Sequence, residues 1–92
     1  MIRSYADRDT GKLAARERVR KYRHVKRIAL RKLEMIKAAH VLDDLRVPPG
    51  NRLEALKGDR VGQHSIRIND QYRICFRWIE RDAHDVEICD YH

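Results

Sequence analysis

The sequence predicts an α+β domain in which two N-terminal helices pack on one face of a small antiparallel β-sheet. Three observations lead there. Apolar residues between positions 25 and 40 recur near the helical period, and those between 64 and 78 alternate with period two. The cluster Pro48-Pro49-Gly50-Asn51 separates the two regimes. Helices first and strands afterwards is the order of a segregated α+β fold. A chain of 92 residues makes one domain, 1–92, with a modest core, so a site for a ligand should be an open groove.

Each element has its own signal. Ile2 to Tyr5 alternates and suits an edge strand. Asp9 or Thr10 offers an N-cap for a first helix running through Leu13, Ala14, Val19 and Tyr22. A second helix starts near Val25, with Val25, Ile28, Ala29, Leu33, Ile36, Ala39 and His40 on its apolar stripe. Lys26, Arg27, Arg31, Lys32 and Lys37 lie largely off that stripe. It should fade near Leu45, because Pro48 and Pro49 cannot continue it.

The second half reads as strands. Leu53 to Lys57 is a short one, closed by Gly58-Asp59. His64 to Ile68 and Tyr72 to Trp78 form a hairpin whose tip, Asn69-Asp70, tolerates positive φ. Arg81-Asp82 is a further turn, and Val86-Glu87-Ile88 begins a last strand. Alternation puts Tyr72, Ile74, Phe76 and Trp78 on the face toward the helices. Arg73, Cys75 and Arg77 fall on the other, with Ser65 and Arg67 of the neighbouring strand.

Charge is unevenly placed. Residues 1–46 carry 14 Lys and Arg against 6 Asp and Glu, whereas residues 47–92 carry 7 against 8. Nine basic residues and a single acid, Glu17, lie between Arg16 and Lys32. Clustered positive charge attracts polyanions such as RNA; a solvated helix face is the alternative. Arg27, Arg31 and Lys32 of this run, with Arg67 on the sheet, are the candidate RNA contacts. No apolar run reaches membrane-spanning length, and Met1 to Tyr5 lacks a secretory pattern. Cys75 and Cys89 lack metal-ligand spacing and read as reduced core or sheet residues. Both points favour the cytoplasm, with no membrane contact.

Motifs for metal, serine or P-loop chemistry are absent: there is no HExxH, no GxSxG, and the Gly58 segment lacks the length of a phosphate loop. No cofactor is called for. His24, His40, His64 and His84 are scattered and read as structural or surface residues, while His92 stands beside Tyr91 and Asp90, and a carboxylate can orient an imidazole.

Leu56-Lys57-Gly58-Asp59-Arg60, the run from Ser65 through Ile66-Arg67-Ile68-Asn69-Asp70-Gln71-Tyr72-Arg73 to Phe76, and the closing Asp90-Tyr91-His92 together resemble the HigB-type toxins. These belong to the RelE/ParE superfamily of bacterial toxin–antitoxin systems, and the resemblance runs over essentially the whole chain. It implies a RelE-like fold and an endoribonuclease that cuts mRNA in the ribosomal A site, neutralised by a HigA-like helix-turn-helix antitoxin. It also implies a catalytic set of His92, Tyr91 and Asp90 with the cations Lys57 and Arg73. One departure stands out: Glu54 occupies a position where many HigB toxins have a histidine. The ParE branch, which inhibits DNA gyrase without this catalytic set, and a non-catalytic ribosome-binding module are the alternative readings.

Overall fold

The computed structural model describes residues 1–90; Tyr91 and His92 lie outside the described residues. The secondary structure runs α1 (Arg8–Ala14), α2 (Lys26–Ala38), β1 (Glu54–Ala55), β2 (His64–Arg67), β3 (Tyr72–Ile79) and β4 (Asp82–Asp90). The four strands form one antiparallel sheet in the order β1-β2-β3-β4. The expected α+β architecture is therefore present.

Both helices are shorter than their apolar periodicity suggests. Asp7, not Asp9 or Thr10, caps α1, its carboxylate accepting from the Thr10 amide at 3.1 Å. The helix stops at Ala14 because Arg16 turns left-handed (φ 66°), its amide donating to Leu13 and that of Glu17 to Lys12. That pair of bonds is a Schellman closure with arginine where glycine is usual. Val19 and Tyr22 are buried, but beside and within a separate 3-10 turn, Arg20–Tyr22. The helix α2 likewise ends at Ala38, and Leu45 reaches the core from another 3-10 turn, Leu42–Arg46. Burial persisted through both breaks, which is why periodicity alone reads across them. On α2, Ala29, Leu33 and Ile36 are buried, whereas Ile28 is 40% exposed and His40 is exposed, off the expected stripe.

One face of the sheet meets the helices. Ile66, Ile68, Ile74, Phe76, Val86 and Ile88 join Leu13, Tyr22, Val25, Ala29, Leu33, Ile36 and Leu45 in a single core, with Tyr72 and Trp78 packed against it. Burying such side chains contributes about 1.5–3 kcal/mol each before entropy is set against it. The opposite face carries a second, smaller cluster of Leu56, Cys75 and Cys89, so it is not the bare arginine-studded surface alternation implies.

The sheet edges and turns differ in detail from expectation. Ile2 to Tyr5 is an edge segment, bridging parallel to β4 at Ala83 and Val86. The hairpin tip is closed by Asn69 Oδ1, which accepts from the Gln71 and Tyr72 amides at 2.9 and 2.7 Å. Positive φ is not what makes this turn; it appears instead at Glu80 (58°), in the β3–β4 turn, and at Asp85 (53°). At Asp85 β4 has one extra residue, and the β3–β4 register shifts between Cys75 and Arg77. Beyond it, Ile88 N–H donates to Thr10 Oγ1 at 3.0 Å, tying α1 to β4.

Two surface carboxylates define an acid limb of stability. Asp82 faces Arg3 at 3.0 Å and the N-terminal amine at 3.4 Å. Asp44 accepts from the His40 and Val41 amides at 2.9 and 3.1 Å. The Arg3 hydrogen bond holds Asp82, and the Val41 and His40 amides hold Asp44, below the ordinary carboxylate value of 3.8. A folded pKa below the unfolded one gives stability that is complete above the unfolded value and lost as pH falls through the folded one. The thermal midpoint should therefore decline below about pH 4, and more gently in the Asp44→Asn/Asp82→Asn double variant. Identical acid limbs in the two proteins would remove both carboxylates from this account.

Candidate active site at one end of the sheet

The register of the strands gathers the polar residues of the open sheet face. Glu54 pairs with Ser65, Ser65 with Cys75, Arg67 with Arg73, and Arg73 with Cys89. Paired residues share a side of the sheet, so Glu54, Ser65, Arg67 and Arg73 form one patch near the end of β4.

Arg73 is its centre. It is only 8% exposed and is held on several sides. Its Nε donates to Ser65 Oγ at 2.7 Å and its Nη2 to the Arg52 carbonyl at 2.7 Å. The Glu54 carboxylate lies 3.5 Å from the same Nη2. Arg52 can offer its carbonyl because it adopts the left-handed region (φ 46°) at the end of the 3-10 turn Pro49–Asn51. Desolvating a guanidinium is costly unless its donors are satisfied, and this lattice of acceptors meets that need while fixing the plane of the group. Ser65, fully buried, and the Arg52 carbonyl are partners that sequence reading did not assign; period-two alternation had placed only Ser65 on the correct face.

The other expected residues are distributed around this centre. Asp90 ends β4 opposite Tyr72, the residue before Arg73, and accepts from Gln71 Nε2 at 3.1 Å. Lys57 is exposed after β1, at the start of the 3-10 turn Gly58–Arg60, and lies toward the other end of the patch from Arg67. Tyr91 and His92, the remaining catalytic expectations, lie outside the described residues.

Of the expected RNA contacts, Arg27 and Arg31 are exposed on α2. Lys32 is not a plain surface cation, contrary to its place off the stripe. It is half-buried, and its ammonium donates to Asn51 Oδ1. Burial first, then the charges of Arg31 and Arg67, pushes Lys32 below the ordinary lysine value. Helix α2 and β2 thus bring Arg31, Lys32 and Arg67 into one electropositive corner, although Arg67 is also paired with Asp70. A separate cleft of about 210 Å3, lined by Ile2, Tyr5, Leu30 and Glu34 among others, does not include the Arg73 patch. Among the described residues no three His, Cys, Asp or Glu side chains gather in a way that could hold a metal ion. No helix among them is long and apolar enough to cross a membrane.

Fold and patch define a small α+β domain with an anchored arginine at the open end of its sheet and a basic helix beside it. The family described as the RelE-like toxin HigB of type II toxin–antitoxin systems matches residues 3–92, and the chain belongs to that family. Toxin HigB-1 of Vibrio cholerae serotype O1 is 54% identical over 50 residues, a match covering 54% of this chain and 53% of that protein. An uncharacterized protein of Haemophilus influenzae is 37% identical over 60 residues, covering 65% of this chain and 59% of its own. The matches thus span little more than half the length of these curated relatives. A YoeB/ParE toxin from Agrobacterium tumefaciens aligns in three dimensions with a TM-score of 0.47 and 21% identity. That alignment covers 78% of this chain and 83% of the other.

Proposed function

We propose that this chain is a ribosome-dependent mRNA endoribonuclease, the toxin of a type II pair, cutting in the A site without a metal ion. The observation that carries the reading is Arg73: a nearly buried guanidinium fixed by Ser65, the Arg52 carbonyl and Glu54, one residue along β3 from the strand partner of Asp90. The chain continues from Asp90 to Tyr91 and His92 in sequence.

The reaction assigned is attack of a ribose 2′-oxygen on the adjacent phosphorus. Its products are a 2′,3′-cyclic phosphate and a 5′-hydroxyl. His92, of a residue type that titrates near neutrality, takes the 2′-hydroxyl proton, and the departing 5′-oxygen takes one from solvent. Arg73 neutralises charge building on the phosphorane oxygens; because its plane is already fixed, little reorganisation is needed as that charge develops. Lys57 supplies a second cation, Tyr91 contacts the substrate, and Asp90 orients a neighbour. Glu54, beside Arg73, competes with phosphate for that cation. Arg27, Arg31, Lys32 and Arg67 meet the RNA backbone. A HigA-like helix-turn-helix antitoxin is the partner, and the cytoplasm the place of action.

The test is cleavage of a defined mRNA on programmed ribosomes by the purified chain, with both ends of the products mapped. Cuts in codon register, ending in cyclic phosphate and missing from naked mRNA, are expected. Intact mRNA together with blocked DNA supercoiling by gyrase would replace this reading with a ParE-like one, and intact mRNA on toxin-bound ribosomes with a non-catalytic one.

A further inference from the structure

The small cluster beside the Arg73 patch, on the same face of the sheet, contains both cysteines of the chain. Cys75 on β3 is fully buried and Cys89 on β4 is 9% exposed; both are free thiols, and Leu56 is the third member of their cluster. They sit diagonally across the β3–β4 ladder, since Cys89 pairs with Arg73 and Cys75 pairs with Glu87. Of the two, Cys89 is the nearer to solvent.

Their placement ties them to the site. Cys89 is the strand partner of Arg73, and Cys75 is the strand partner of Ser65, whose hydroxyl holds Arg73. We infer that Cys75 and Cys89 are a redox pair, oxidised by a hydroperoxide to a disulfide that displaces Arg73. The effect on cleavage rests on the nuclease reading; the thiol chemistry does not.

The chemistry balances with hydrogen peroxide as oxidant. The Cys75 thiolate attacks one peroxide oxygen, breaking the O–O bond and giving a sulfenic acid and hydroxide, which takes up a proton to become water. The Cys89 sulfur then attacks the sulfenic sulfur, forming the S–S bond and releasing a second water. Two thiols are oxidised and one peroxide is reduced. The environment favours Cys75 as the first nucleophile: the Cys89 side chain adjoins it, and Arg60 and Arg73 stand near, pulling it below the ordinary thiol value. Cys89 is pushed the other way by the same contact and by burial.

Geometry supplies the coupling. Diagonal neighbours across antiparallel strands stand roughly 7–8 Å apart, whereas disulfides span Cα separations of about 4.4–6.8 Å. Closing the bridge must draw β3 and β4 together at Arg73. The register shift between Cys75 and Arg77 places an irregular, deformable stretch of ladder beside the bond.

Hydrogen peroxide treatment followed by thiol counting under denaturing conditions and peptide mass spectrometry tests this. The intact chain should lose both thiols as an intramolecular Cys75–Cys89 linkage, reversed by dithiothreitol. Cleavage should fall about 100-fold, the scale for misplacing a catalytic group by an ångström, and return on reduction. Cys75→Ser and Cys89→Ser variants should form no such linkage, and their residual cleavage should not respond to dithiothreitol after peroxide. Retention of both thiols, or their recovery only as intermolecular bridges or irreversible acids, would overturn the pair. Should the ribosome assay show no cleavage at all, thiol counts and peptide masses still decide it.

Discussion

Replacing either His92 or Arg73 by alanine is expected to lower ribosome-dependent cleavage by about two to three orders of magnitude, and the Arg73 replacement should also weaken the fold. His92→Ala removes the assigned base. Arg73→Ala removes a charge that is bonded to a buried hydroxyl and a backbone carbonyl. Hydrogen bonds involving a charged group contribute about 1.5–3 kcal/mol each, and the bereft acceptors then lie in a poorly solvated place. The Glu54 contact adds less, because that carboxylate is 48% exposed and screened by solvent. The two bonds together make a loss of about 3–6 kcal/mol, against the roughly 5–15 kcal/mol of a typical domain, so the variant is compared at low temperature, where the folded population is largest.

Arg73→Lys separates the two roles. Lysine keeps the charge but not the planar fork that reaches Ser65 and Arg52 together. Its stability should recover part of the way while cleavage remains low, because a flexible ammonium no longer presents fixed donors to the phosphorane. Calorimetry paired with single-turnover cleavage reads both effects. Full activity in folded Arg73→Ala would take Arg73 out of the mechanism and leave it a structural pin.

How much of this was legible in the sequence depended on which force governs each feature. Strand alternation is a local consequence of backbone geometry, so Ile74 and Phe76 fell on the helix side as expected. The ends of α1 and α2 did not, because buried residues in the 3-10 turns continue the apolar spacing past each true terminus. An arginine in the left-handed position of the α1 closure carries no compositional signal comparable to glycine. For the site, the motif marked Arg73 and alternation put Ser65 on its face, but neither announced the hydrogen bond between them or the Arg52 carbonyl. Those partners meet through β2–β3 register and a turn from β1's approach, contacts that exist only after folding. The partner of Lys32 was hidden for the same reason: its helical position says surface, while a buried side chain at residue 51 draws it inward.

That partner is the source of the second large effect. Asn51 is fully buried, and its amide nitrogen donates to the Leu45 carbonyl at 3.1 Å, with Val47 O at 3.5 Å and Met35 Sδ at 3.7 Å. Its oxygen accepts from Lys32. One side chain therefore closes the loop between α2 and β1 and seats a cation of the basic corner. Asn51→Ala leaves a buried carbonyl and a half-buried ammonium short of partners, a loss of about 3 kcal/mol. For a domain of this size the melting temperature should fall by roughly 12–24 °C. Asn51→Asp is the sharper probe, since it is nearly isosteric and keeps an oxygen facing Lys32. It replaces the donor toward Leu45 and Val47 with a second acceptor, so it should be destabilised even though its contact with Lys32 gains charge. Wild-type stability in Asn51→Asp would assign the whole effect to Lys32 and none to the loop carbonyls. Destabilisation of both variants, with the unfolding slope in urea unchanged, would locate it in the α2–β1 loop and make that loop the support on which Arg52 presents its carbonyl to Arg73.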